Sequence, residues 1–152
     1  MDRYLSKEDA LQLLKRNNTG IISMITKEEN PYGVSVNYVY DEETNALYFH
    51  SKPIGKKIES IERNSHVSFL VFDNNNVVAD AYVTHYQSAI VTGNAELIKE
   101  EQAKIKYLKK LCLHTVPERM DRFDNVVSNY IKGMVMVKIS VTEITGKQNR
   151  DD

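Results

Sequence analysis

His50, Ser51, Lys56 and Lys57 fall within one short stretch, ALYFHSKPIGKKIES (residues 46–60). There an apolar, strand-like run turns a Pro53–Gly55 corner and opens a helix. A helix start carries free backbone N–H groups and a partial positive charge, so it attracts phosphate when lysines stand beside it. Lysines at that end also oppose the helix dipole unless an anion compensates. The local physics therefore favours an anion at this corner over a solvated loop.

His50 has the chemistry to hydrogen-bond a ligand, bind a metal, or act as an acid or base. The four histidines, His50, His66, His85 and His114, form neither an i,i+4 pair nor an HExxH, so no metal site is expected. Nucleophilic chemistry has no support: there is no GxSxG, and the single cysteine, Cys112, lies between two leucines. Walker A and GxGxxG motifs are absent, so a bound nucleotide-like phosphate needs another architecture. The nine tyrosines mostly alternate with polar residues, as half-buried strand residues do, rather than forming a base-stacking surface.

The elements that position these residues follow from period and capping. Ser6 with Asp9 reads as a capping box opening a helix over about 7–17. GIISMIT (20–26), VSVNYVY (34–40) and ALYFHS (46–51) read as a three-strand meander. In the second strand Val36 and Tyr38 share one face and Asn37 takes the other. KKIESIER is a short helix with Ile58 and Ile61 on one side, HVSFLVFD (66–73) a fourth strand broken by Asn74–Asn76, and 77–86 an irregular loop. SAIVTGNAELI (88–98) is a long strand in which Gly93 marks a bulge or bend.

KEEQAKIKYLKKLCLHTV then forms an amphipathic helix, with Ile105, Leu108, Leu111 and Cys112 on its stripe and the lysines opposite. A further helical piece near 120–131 precedes a last strand in GMVMVKISVTEITGK. About six strands that do not alternate regularly with helices point to a mainly antiparallel barrel decorated by helices.

At 152 residues the chain fits one domain, expected over 1–147 with a polar, frayed tail at 148–152. With 20 basic and 21 acidic residues it has no global field for nucleic acid or a membrane surface. No apolar run approaches bilayer length and the N-terminus has no signal-like h-region, so a soluble, cytoplasmic protein is expected.

TGIISMI, the run NPYGVSVNYVYDEETNALYFHSKPIGKKIESIERNSHVSFLVFD, YQSAIVTGNAELIKEEQAK and MVKISVTEITGK together resemble the FMN-binding split-barrel proteins of the pyridoxamine 5'-phosphate oxidase superfamily. The Nim-type nitroimidazole-resistance branch is the most similar, and the resemblance spans roughly 18–147. It implies a mainly β fold, a six-stranded antiparallel split β-barrel with peripheral helices. It further implies a homodimer binding FMN between its subunits. Carried over residue by residue, Lys57 fills the phosphate-binding lysine of the G-x-K element, with Ser51 and Lys56 nearby. Val36, Asn37 and Tyr38 lie on the strand approaching the isoalloxazine, His50 borders the flavin and the substrate side, and Ser88 helps hold the ribityl phosphate.

The implied activity is FMN-dependent oxidoreduction, with NAD(P)H as a donor, a small acceptor such as a nitroaromatic, and His50 donating a proton or orienting that acceptor. The alternatives are a non-catalytic flavin-binding or redox-sensing module, or a haem- or deazaflavin-binding barrel. The C-terminal end, TGKQNRDD, lacks the arginines and histidines that a pyridoxine phosphate would need, so vitamin B6 oxidation is not implied.

Overall fold

A computed structural model describes residues 3–150, apart from the side chains of Asn74 and Asn75. The helices are α1 (Lys7–Arg16), α2 (Lys56–Arg63), α3 (Glu101–Thr115) and α4 (Phe123–Tyr130). The strands are β1 (Thr19–Ile25), β2 (Pro31–Asn37), β3 (Val39–Asp41), β4 (Ala46–Ser51), β5 (His66–Val78), β6 (Val83–Ile98) and β7 (Val135–Asn149). They form one antiparallel sheet in the order β2-β1-β5-β6-β7-β4-β3.

The two edges of that order, β2 and β3, are consecutive in sequence and separated by Tyr38 alone. One bent strand path thus joins both edges and curls the sheet into a barrel that stays open between β2 and β4. The expected six strands become seven, because the run read as one strand over 34–40 is divided at Tyr38. The Tyr38 N–H donates to the Asn18 carbonyl, outside both ladders. Its ring is fully buried, edge-on to Phe69 at 4.8 Å, and its hydroxyl donates to the Leu14 carbonyl.

Two further expectations are corrected. Asn74–Asn76 do not break the fourth strand: β5 continues to Val78 with a register shift against β6 between Asp73 and Asn76. The expected loop at 77–86 is a hairpin, in which Val77 and Val78 pair with Thr84 and Val83 around a 3-10 turn at Ala79–Ala81. The anticipated bulge at Gly93 is present, between Thr92 and Gly93 in the β6–β7 pairing. A Cβ on Gly93 would lie 2.1 Å from the Ser140 carbonyl oxygen, so only glycine allows this approach. The last strand runs past the expected domain end at 147 and holds Gln148 through its N–H to the Arg3 carbonyl.

The barrel is filled by Ile22, Tyr38, Leu47, Phe49, Phe69 and Ile139, with Leu13 and Leu14 of α1 packed on it. A second core lies outside the β3–β4–β7 wall, where Tyr48 and Met136 meet Leu108, Leu111, Phe123 and Ile131. β4 separates the two: Leu47 and Phe49 face the barrel while Ala46 and Tyr48 face the helices, so all four are buried. One lysine of α3 departs from the expected solvated face. Lys104 is buried and its Nζ donates to the carbonyls of Ile131 (2.6 Å) and Met134 (3.0 Å), tying α3 to the segment after α4. Among the described residues no helix is long and apolar enough to cross a membrane.

Candidate functional site

β4 and β2 part company at Tyr38. The β3–β4 register, Val39↔Tyr48, extended by two residues would set Asn37 level with His50. β2 instead pairs with β1, Asn37 opposite Thr19, and no ladder joins β2 to β4. The barrel is therefore split along this seam. α2 packs against β1 and β6, with Ile58 and Ile61 buried in the barrel core.

The first turn of α2 reaches both sides of the seam. Lys56 Nζ lies 4.5 Å from the centroid of the Tyr32 ring on β2, and Lys57 Nζ lies 5.5 Å from that of Phe49 on β4. Both are within cation–π range. Neither lysine makes an ion pair among the described residues. Lys57 is half-buried, and that desolvation holds its ammonium below the ordinary lysine pKa. A partly buried cation with no counter-charge is what an incoming anion would stabilise.

The helix start is equally open. Gly55 is its N-cap at φ 146°, a conformation that strains any L-residue, and no side chain caps the turn. The leading N–H groups of α2 are thus left for solvent or a ligand. A Cβ on Gly55 would meet nothing within 4 Å, so backbone conformation rather than space selects glycine.

His50 is next to last in β4, on the face away from Phe49, paired with Met136 on β7, and it is exposed. Desolvation and then the Lys57 charge lower its pKa, which leaves the imidazole neutral near pH 7. It can orient a ligand as a neutral donor or acceptor, and it is poorly suited to donate a proton as an imidazolium. Ser51 turns its Oγ to the Lys52 carbonyl (2.9 Å). On the other flank of α2 an open cleft of about 1060 Å³ includes Thr26, Asn30, Gly55, Lys56 and Arg63, and excludes His50, Ser51 and Lys57.

The structure brings His50, Ser51, Lys56 and Lys57 to one corner and sets Asn37 at the opposite lip of the split. Asn37 is exposed and its Oδ1 accepts from Thr19 Oγ1 at 3.0 Å. Val36 is half-buried against the barrel core. The Tyr38 side chain is committed to that core, and burial raises its pKa, so only its backbone borders the split. Ser88 is buried on β6 between Phe72 of β5 and Lys147 of β7, ten residues before Ile98, which shares the ladder row of His50 through Met136. Tyr32, which no sequence signal marks, is the residue added by the structure, through its ring under Lys56.

Several solved structures share the architecture. A Bacteroides thetaiotaomicron protein named for 5-nitroimidazole antibiotic resistance is 24% identical, with 95% of this chain and 86% of that one covered and a TM-score of 0.81. A FAD-binding protein from Mesorhizobium loti is 23% identical, with 97% and 98% covered and a TM-score of 0.72. A FAD- and haem-binding protein from Mycobacterium smegmatis is 15% identical, with 99% and 77% covered and a TM-score of 0.79. No curated protein matches the chain. The family described as Pyridoxamine 5'-phosphate oxidase matches residues 6–148, close to the full length, and the chain belongs to that family.

Proposed function

We propose that this protein binds FMN at the split between β2 and β4 and is an FMN-dependent oxidoreductase that reduces a small acceptor, a nitroimidazole or other nitroaromatic, with NAD(P)H as donor. The observation that carries the reading is the half-buried, unpaired Lys57 beside Lys56 at an uncapped helix start. Two lysines and free N–H groups suit one terminal phosphate dianion. The similar structures named for binding FAD support a flavin in this fold.

Each residue has a definable task. Lys57 and Lys56 hold the phosphate, and Ser51 and the Gly55 corner let the backbone approach it. Asn37 and Val36 line the opposite lip of the split, where the ring system would extend. His50, kept neutral by partial desolvation and by the Lys57 charge, orients the acceptor through a ring N–H rather than protonating it. Bound FMN supplies the hydride chemistry between donor and acceptor, and the protein supplies position and charge.

The reading includes a homodimer. An uncharged row, Ser35–Ile21–Leu70–Ile90–Thr145, crosses the outer face of five strands, and Gly33, Ser23, Ser68 and Thr92 extend it as far as Glu143 on β7. Ile90 is 44% exposed there, as expected of a face that a second copy covers. Ser88, ten residues along β6 from the row of His50, would join a flavin site from the partner subunit. Sedimentation of the flavin-loaded protein as a monomer would contradict this.

The neutral His50 also favours a second reading, a flavin-binding or redox-sensing module without turnover. Anaerobic mixing of the FMN-loaded protein with NADH or NADPH, followed by a nitroaromatic, separates the two. Flavin bleaching and return at catalytic rates supports the oxidoreductase, and bound flavin that no nicotinamide reduces supports the module.

A further inference from the structure

Outside the β3–β4–β7 wall, the end of α3, the 3-10 segment Pro117–Arg122 and α4 enclose a second cavity of about 320 Å³. Buried Phe123 and Val127, with Met120, form its floor over the helical core. Val116, Val126 and Tyr130 wall it while remaining 41%, 43% and 40% exposed, an unusual concentration of open apolar surface on one small helical lobe. No residue of the β2–β4 split lines it, so it is a separate site.

Its charged groups are of one sign. Arg119 and Arg122 line the cavity, both are exposed, and neither makes an ion pair among the described residues. Glu118, Asp121 and Asp124 belong to the same segment, yet none of these carboxylates lines the cavity. Arg119 sits at a break in the 3-10 geometry, φ −122° and ψ 21°, which separates it from the regular turn around it. Guanidinium groups match carboxylate and sulfonate geometry with paired N–H donors. The volume is at the small end of ligand sites, too small for a docked helix.

We propose that this cavity binds a small amphipathic monoanion, an apolar or aromatic body carrying one carboxylate or sulfonate. The body lies on Phe123 and between Val116 and Val126, and the anionic group meets Arg119 and Arg122. Cys112, the single cysteine of the chain, lines the same cavity and is half-buried, so its thiol reports occupancy.

The test uses the full-length chain with 1-anilinonaphthalene-8-sulfonate as fluorescent probe, octanoate as competitor and octylammonium as the oppositely charged control. We expect saturable binding that octanoate displaces and octylammonium does not. The Arg119→Ala/Arg122→Ala pair should bind the probe at least tenfold more weakly. Val126→Glu, an exposed change that puts a carboxylate at the mouth, should do the same with an unaltered circular dichroism spectrum. Saturating octanoate should slow modification of Cys112 by dithionitrobenzoate at least fivefold. Equal competition by octylammonium, unchanged probe affinity in the arginine pair, or an unprotected Cys112 would each overturn the proposal. So would probe binding that disappears as protein concentration rises, the sign that a second copy of the chain fills the cavity.

Discussion

Lys57 Nζ stands 5.5 Å over the ring of Phe49 and meets no carboxylate among the described residues. Phe49 faces the barrel core, so this cation is held at the edge of an apolar interior with its charge unanswered. Burial lowers its pKa, which means the charged form gains little from folding by itself.

Replacing Lys57 should therefore separate binding from stability. Lys57→Ala is expected to weaken FMN by about 1–3 kcal/mol, the scale of a lost charge-assisted hydrogen bond. Lys57→Met, which keeps the apolar stem, should lose a similar amount of affinity while the flavin-free protein unfolds at the same or a higher urea concentration. Flavin-fluorescence titration and urea melts measure the two quantities.

His50 predicts a pH dependence whose sign follows from its lowered pKa. Below about pH 6.5, the ordinary value, the unfolded chain takes up a proton that the folded chain resists. Stability is thus fully present above that pH and declines as pH falls from about 6.5 toward the lowered folded value. His50→Gln should remove that part of the decline, seen as a smaller difference between urea midpoints at pH 7.5 and pH 5.5. An identical pH dependence in the two proteins would show that His50 is not desolvated.

Tyr38 belongs to the core, and its variants should say so. Tyr38→Phe keeps the ring against Phe69 and removes the hydroxyl that donates to Leu14, at a cost of about 0.5–1.5 kcal/mol. Tyr38→Ala empties a fully buried site and should cost about 3–5 kcal/mol. FMN affinity of the folded Tyr38→Phe protein should equal that of the wild type. A tenfold loss would give the phenol a direct part in binding.

Gly93→Ala tests the bend of β6. The added Cβ meets a backbone oxygen, which cannot rotate away as a side-chain atom would. We expect destabilisation of more than about 3 kcal/mol, above the usual range for a point substitution, with reduced soluble yield as the simplest readout.

Much of this arrangement is legible in the sequence because local chemistry determines it. Ser6 accepts from the Asp9 N–H at 3.0 Å, the Ala46–Ser51 strand and the Lys56–Arg63 helix begin and end where period and the Pro–Gly corner place them, and Gly93 marks the bulge. What is illegible depends on partners distant in sequence. Asn74–Asn76 are poor strand residues, yet β6 supplies the ladder that carries β5 past them through a register shift. The division at Tyr38 arises because β1 and β4 compete for the two halves of one strand, and its hydroxyl partner, Leu14, lies in α1.

The site divides in the same way. His50, Ser51, Lys56 and Lys57 sit together because a short corner joins them, so their spacing was informative. Lys104 looks like any surface lysine of an amphipathic helix until carbonyls 27 and 30 residues later fold over it. Tyr32 reaches the site by a side-chain contact across the split, which no periodicity encodes. Ser88 follows from resemblance alone, and its distance along β6 makes its part in the site a question about a second subunit.

The central claim is that a flavin occupies the split between β2 and β4, and the visible absorption spectrum of the purified protein, with identification of the chromophore released on denaturation, tests it most directly. Flavin bands with released FMN, both diminished in Lys57→Ala, are the predicted result. A colourless protein that takes up no added FMN, or a Soret band with released haem, would contradict the account.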